Sequence, residues 1–418
     1  MSKLIINGKN TLNGEVTIGG AKNSTLPLIA ATILCDGETV LHNCPHLSDV
    51  ETCIKIISGL GGTCKWEQDT IIVDTSNINK CEIPENLMRE MRSSIVFLGA
   101  IIARCGAARL SSPGGCELGP RPIDLHLKAL RKMGVEIHED HGLLDCKVKT
   151  KINGADISLS IPSVGATENI MLAAVLAEGI TTIENAAREP EISDLADFLC
   201  KCGAKIKGVG TSVIVISGVE HLKPCEHSVI PDRIAASTYM AAAAITGGDV
   251  ILKSINKEHL KPVLSSFQSA GCDVRFYKDS LRIRAPQTLS HIERVNTLAY
   301  PGFPTDSGPP IIAMTTVATD TSVFVENIFD NRFKVVDELK RLGAQIDVVG
   351  RVAIVYGVKN LSGATVMSTD LRGGAALVIS GLVAEGVTVV DKIEHKDRGY
   401  ESIEYYLTAL GADIKRID

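Results

Sequence analysis

Asp370-Leu371-Arg372-Gly373-Gly374-Ala375-Ala376-Leu377-Val378-Ile379-Ser380-Gly381-Leu382-Val383-Ala384-Glu385-Gly386-Val387-Thr388-Val389-Val390 reads as a polar opening, an apolar helix-like run, a turn and a β-rich segment. The same succession recurs at intervals of roughly 70 residues along the chain. Its polar openings are Lys22-Asn23, Met91-Arg92, Gly165-Ala166, Asp232-Arg233, Thr305-Asp306 and Asp370-Leu371-Arg372. The β-rich segments behind them are Gly37 to Val40, Ala108 to Leu110, Ile180 to Ile183, Asp249 to Ile251, Ser322 to Phe324 and Val387 to Val390. A unit of this kind cannot close a core alone and must stack on its siblings.

An amphipathic helix follows each strand, with Val50, Ile54 and Ile57, or Leu339 and Leu342, or Ile403, Leu407 and Leu410 at helical spacing. Ser48 with Glu51 predicts a capping box for the first of them. Each helix is expected to stop at a glycine, Gly61, Gly134, Gly203, Gly271, Gly343 or Gly411, because glycine takes the left-handed conformation that closes a helix. Alternating strands follow four of these stops clearly, as in Val213 to Ile216 and Ala353 to Tyr356.

A chain of 418 residues exceeds the usual size of one core, so two domains of three repeats each are expected. A net charge of −6 argues against a general nucleic-acid binder, although clustered arginines can still make a local anion site. Met1 to Asn7 leads into a strand pattern and Gly14-Glu15 interrupts any early apolar run, so neither a signal peptide nor a membrane span is expected, and the expected location is the cytoplasm. The twelve cysteines contain no CxxC pair and the histidines no ligand spacing. Reduced structural thiols on apolar faces, such as Cys35, Cys53 and Cys105, are expected, with no metal site and no cofactor. Cys116 differs: it lies in the glycine- and proline-rich stretch Ser111 to Pro122, five residues before Arg121, where a nearby cation favours the thiolate. An incidental surface thiol is the plain alternative.

Gly19-Gly20-Ala21-Lys22-Asn23, Pro113-Gly114-Gly115-Cys116, Arg121 to His126, Glu184 to Glu191, Pro304-Thr305-Asp306 and Asp397 to Glu401 together resemble the UDP-N-acetylglucosamine 1-carboxyvinyltransferases, the enolpyruvyl transferases that open peptidoglycan synthesis. The resemblance covers the whole chain. It implies an α/β fold of two inside-out barrels built from six βαβαββ units with the apolar helices inside. Residues 1–21 and 230–418 would form one domain and 22–229 the other, with crossings near Gly20 and Val229-Ile230-Pro231.

The implied reaction moves the enolpyruvyl group of phosphoenolpyruvate to the 3-hydroxyl of UDP-N-acetylglucosamine and releases phosphate. Such substrates need cations, which Lys22, Arg92, Arg121, Arg372 and Arg398 supply; helix openings also favour anions. For one isolated arginine a solvated face is the plain reading, but these recur at motif positions. By resemblance Lys22, Asn23, Arg121, Arg372 and Arg398 meet phosphoenolpyruvate, with Asp370 nearby. Arg92, Arg121, Pro122, Ile123, Asp124, Leu125, Ser163, Val164, Gly165, Asp306 and Ile328 meet the nucleotide sugar, Asp124 accepting from the uracil. Cys116 is the implied acid and Asp306 the implied base, with Lys22 and Arg398 in the chemistry; the plain reading of Asp306 is an N-cap for the helix after Ser307. Val96 stands where some relatives carry tryptophan, Ser48 where some carry lysine, and Ile123 replaces valine.

Three alternatives stand beside this reading. A 3-phosphoshikimate 1-carboxyvinyltransferase shares fold and donor, but the Cys116 loop and Asp124 favour the nucleotide sugar. RNA 3′-phosphate cyclases need a histidine nucleophile, of which His126 and His395 give no sign. A silent nucleotide-sugar-binding paralogue would have no need of Lys22, Cys116, Asp306 and Arg398 together.

Overall fold

The computed structural model describes residues 2–111 and 123–417, with the side chain of Arg92 also outside the description. Each of the six repeats builds one small sheet, and the strand pairing is the same each time. One strand joins in parallel from another segment of the chain, and the remaining pairs are antiparallel. Glu226–Ser228 thus pairs in parallel with Glu38–His42, which pairs antiparallel with Thr70–Asp74, which pairs antiparallel with Thr63–Glu67. Alternation fixes the register: Ile71 and Val73 are fully buried, while their strand neighbours face partly outward. In the sheet Ala107–Ser111, Leu143–Lys147 and Glu136–Asp140, the parallel partner shrinks to a single bridge from Glu82 to Arg109.

The helices that begin at the polar openings are the buried ones. Lys22–Thr32 is buried everywhere except Asn23, and Leu371–Gly381 at every position from Arg372 onward. A helix apolar all round must lie inside a core. The amphipathic helices, such as Ser48–Leu60 and Pro190–Lys201, bury one face only. All six terminating glycines have positive φ, between 89° and 109°. Two sequence expectations fail. Ser48 is the first helical residue and Leu47 the cap, so no capping box forms; the Glu51 carboxylate accepts instead from Trp66 Nε1 at 2.8 Å. Cys105 ends helix Phe97–Cys105 at the surface rather than on an apolar face, because the chain turns away at Gly106, φ 71°.

The chain forms two compact units, one running from Gly20 to Ile230 and the other taking the residues up to Gly19 and from Pro231 onward. The second is discontinuous because the first two strands complete its sheets. Lys3–Asn7 sits between Val387–Asp391 and Asp413–Ile417, and Asn13–Thr17 pairs in parallel with Asp249–Lys253. Each unit holds three sheets and its own apolar core. No helix among the described residues is long and apolar enough to cross a membrane.

Candidate active site

In the discontinuous unit, the polar openings of two inner helices converge on one carboxylate. Asp306 lies in the 3-10 turn Thr305–Ser307, ahead of helix Gly308–Thr315, and it does not cap that helix: Ser307 is the N-cap residue and makes no side-chain cap bond. Its Oδ1 accepts from Arg332 Nη2 at 2.6 Å, and its Oδ2 accepts from Arg372 Nε and Nη2 at 3.2 and 3.1 Å. Both arginines are almost wholly buried. Burial alone would lower the Arg372 pKa, but Tyr400, Asp306 and Asp232 more than offset it and hold the guanidinium above its ordinary value. Arg372 also stacks over the Tyr400 ring at 5.2 Å, and the Tyr400 hydroxyl lies 2.9 Å from Thr238 Oγ1.

Asp370 caps helix Leu371–Gly381, its Oδ1 accepting from the Arg372 and Gly373 N–H groups at 3.0 Å. Gly373 is required here, since an added Cβ would sit 2.6 Å from the Asp370 carboxylate. Ile328 is exposed; its N–H donates to Glu326 Oε1 at 2.7 Å, while Glu326 Oε2 accepts from Thr305 Oγ1 at 2.9 Å. Arg398 is half-buried just before Tyr400.

Two buried donors stand out. Among the described residues, Arg332 Nη1 and Arg372 Nη1 make no well-formed hydrogen bond; Asp370 Oδ1 lies 3.8 Å from the former, and the Tyr400 side chain interacts with the Arg372 guanidinium. Leaving charged donors unspent in a core is costly, so the arrangement suits an anion. Arg332 opens the 3-10 turn Arg332–Val335 that leads into the amphipathic helix Val336–Arg341, and Glu326 follows strand Thr321–Val325; neither stands at one of the six openings of the apolar helices, so reading the sequence by those openings passed over them. A signal for Arg332 exists: with Val335, Val336 and Leu339 it falls at i, i+3, i+4 and i+7, which puts a guanidinium on a buried helical face.

In the other unit, Lys22 opens helix Lys22–Thr32 and is buried, its Nζ 2.5 Å from Asp49 Oδ2. Asn23 beside it is exposed. Ser163 caps helix Val164–Ala174, its Oγ accepting from the Ala166 N–H at 3.3 Å. Asp124 begins helix Asp124–Lys132, exposed and paired with Lys128 at 3.0 Å; that hydrogen bond holds its carboxyl below the usual range. Ile123 and Leu125 are half-buried.

A buried imidazole ties these segments together. His126 Nδ1 lies 2.9 Å from Asn169 Nδ2, which also donates to Ile95 O at 2.9 Å, and Asn169 Oδ1 accepts from the Gly99 N–H at 2.7 Å. The His126 ring faces Gly165, where an added Cβ would come within 3.1 Å. Burial depresses its pKa to about 4, so the ring is neutral. The Arg92 opening begins the 3-10 turn Arg92–Val96 that Ile95 belongs to. Cys116, Arg121 and Pro122 lie outside the described residues.

Comparison with known proteins identifies the family. Residues 6–407 match the sequence profile described as EPSP synthase (3-phosphoshikimate 1-carboxyvinyltransferase). A protein of Caldanaerobacter subterraneus subsp. tengcongensis named UDP-N-acetylglucosamine 1-carboxyvinyltransferase 2 is 52% identical over 100% of both chains. A Trichlorobacter lovleyi protein named UDP-N-acetylglucosamine 1-carboxyvinyltransferase is 46% identical over 100% of this chain and 99% of its own. Among solved structures, the enolpyruvyl transferase NikO from Streptomyces tendae shares the fold at TM-score 0.91 and 24% identity, over 99% of this chain and 98% of its own. EPSP synthase from Acinetobacter baumannii shares it at TM-score 0.78 and 18% identity, over 100% of both chains. With the same α/β fold along its full length and identities of about half to its named relatives, the chain belongs to the EPSP synthase family and, within it, to the UDP-N-acetylglucosamine 1-carboxyvinyltransferases.

Proposed function

We propose that the protein is a transferase that moves the enolpyruvyl group of phosphoenolpyruvate to the 3-hydroxyl of UDP-N-acetylglucosamine and releases phosphate, the opening step of peptidoglycan synthesis, carried out in the cytoplasm without metal or cofactor. The observation that carries this reading is the Asp306 carboxylate held by two buried arginines, each with a guanidinium nitrogen unspent. A donor carboxylate offers those nitrogens the acceptor they lack. It would also draw the guanidiniums off Asp306, leaving a carboxylate able to take a proton.

In this reading Lys22, Asn23, Arg121, Arg372 and Arg398 hold the donor, joined by Arg332. Arg92, residues 121–125, Ser163 to Gly165 and Ile328 hold the nucleotide sugar, with the His126–Asn169 bond fixing the last two helices of that set. Cys116 delivers a proton to the methylene carbon of phosphoenolpyruvate while the sugar oxygen bonds to the adjacent carbon and Asp306 takes the hydroxyl proton. Phosphate then leaves that carbon with its bridging oxygen, and the methyl carbon gives up a proton to restore the double bond.

Shikimate 3-phosphate is the competing acceptor, since the family profile bears that enzyme's description. Identities of 46–52% to nucleotide-sugar enzymes, against 18% to an EPSP synthase, favour UDP-N-acetylglucosamine. Phosphate release from phosphoenolpyruvate, followed with each acceptor, tests it. Release with the nucleotide sugar alone is expected, and release with shikimate 3-phosphate alone would overturn the assignment.

A further inference from the structure

Helix Pro190–Lys201 buries a carboxylate that the proposed chemistry does not use. Asp194 is 3% exposed, and three groups from two separate segments bond to it. Oδ1 pairs with His227 Nε2 at 2.8 Å; Oδ2 accepts from Ser24 Oγ and from the Ile230 N–H at 3.3 Å. His227 is itself buried against Phe198, the rings edge to face at 5.7 Å. Taking a carboxylate out of water costs several kcal/mol, which apolar residues of the same volume would avoid, so directional bonding is what this residue adds.

The three partners are not equivalent. Ser24 is the third residue of helix Lys22–Thr32, in the turn that presents Lys22 and Asn23. Ile230 is the last residue of the unit before the chain crosses at Pro231. The Ala21 N–H donates to Ile230 O at 2.8 Å, and Asn43 Nδ2 donates to Val229 O at 2.9 Å. One carboxylate therefore bonds both to the start of the helix carrying Lys22 and to the segment where the chain leaves the unit.

We propose that Asp194 is a positioning residue for donor capture: through Ser24 it sets the pitch of the turn that holds Lys22 and Asn23, and through His227 and Ile230 it locks that turn to the crossing strand. It touches no substrate and acts through Ser24. The inference rests on the transferase reading for its kinetic consequence, but not for its geometric one.

Ser24→Ala and Asp194→Asn, singly and combined, test both. The kinetic expectation is a KM for phosphoenolpyruvate raised about tenfold, within the up to ~100-fold that a 1 Å misplacement can cost, with kcat and the KM for UDP-N-acetylglucosamine changed less than about threefold. Because the two residues share one contact, the double variant should be no worse than the worse single one. A purely structural role would instead raise both KM values together. Competitive acetylation followed by mass mapping reads geometry without turnover: labelling of Lys22 should rise severalfold relative to Lys396, which is 1% exposed in the other unit. If wild-type protein releases no phosphate, the transferase reading falls while the labelling ratio still judges Asp194. An unchanged Lys22 ratio in Ser24→Ala, the milder variant, would overturn the positioning role, as would an unchanged KM for phosphoenolpyruvate in an active enzyme.

Discussion

Replacing Asp306 by Asn separates the two things this carboxylate does. It neutralises two buried guanidiniums, and in the proposed chemistry it takes the hydroxyl proton. The amide keeps the shape and one accepting oxygen, so one of the two arginine contacts survives and the other meets an NH₂ group. Removing one partner of a buried ion pair costs about 3–5 kcal/mol, and losing one charge-assisted hydrogen bond about 1.5–3 kcal/mol. The Asp306 side chain is 27% exposed and Asp370 remains near Arg332, so the lower part of that range applies, about 2 kcal/mol. For a unit of this size that corresponds to a melting shift of about 4–8 °C. Removal of a positioned base costs turnover about 10²- to 10⁴-fold. Phosphate release under saturating substrates gives kcat, calorimetric titration gives the nucleotide-sugar Kd, and a thermal melt gives the structural loss. A kcat reduced at least about 100-fold with Kd nearly unchanged is expected. The melting shift alone, with turnover near wild type, would refute the base and leave Asp306 only a counter-ion for its arginines.

In the proposed reading Lys22 meets the donor, so Lys22→Ala should cripple donor capture, with some loss of stability because the buried Asp49 loses its lysine partner; normal turnover in a folded variant would remove Lys22 from the site. His126 makes stability pH-dependent: burial lowers its folded pKa to about 4, so the unfolded chain binds the proton first, and stability present above the ordinary imidazole value of 6.5 is lost as pH falls toward 4. The loss approaches about 3 kcal/mol; denaturant midpoints of His126→Gln should show a flatter slope between those pH values, and equal slopes would contradict the assignment. Gly99→Ala should cost about 2–3 kcal/mol, since its Cβ would lie 2.3 Å from Asn169 O in the core; a midpoint unchanged in urea would show that the helices can separate cheaply. Among thiols, burial pushes Cys44, Cys64 and Cys272 up to about 12 and Cys146 up to about 11. An epoxide analogue of phosphoenolpyruvate, as in fosfomycin inhibition of the family, should therefore alkylate Cys116, faster with nucleotide sugar present; peptide mapping that finds the adduct on exposed Cys200 or Cys105 would remove Cys116 from the chemistry.

The repeat was legible because every copy obeys the same local physics. A helix buried all round needs an apolar run, and a helix closed in the left-handed region needs glycine, so Gly61 through Gly411 punctuate the sequence at matching places. Helix openings were legible for the same reason, and they held Lys22, Asp306 and Arg372. What sequence could not supply was pairing. Asp306 with Arg332 and Asp194 with Ser24 join residues far apart in the chain, and only the packed units bring them together. Ser48 shows the opposite limit: its motif is correct for a cap, but the helix starts one residue too early for the box to close.

The fate of one oxygen atom tests the central chemistry most directly. Phosphoenolpyruvate carrying heavy oxygen at the bridge between carbon and phosphorus, turned over with UDP-N-acetylglucosamine, should deliver all of the label to the released phosphate, alongside a nucleotide sugar heavier by one enolpyruvyl group. Label retained on pyruvate, with a phosphorylated or unmodified sugar, would mean cleavage at phosphorus and would contradict enolpyruvyl transfer.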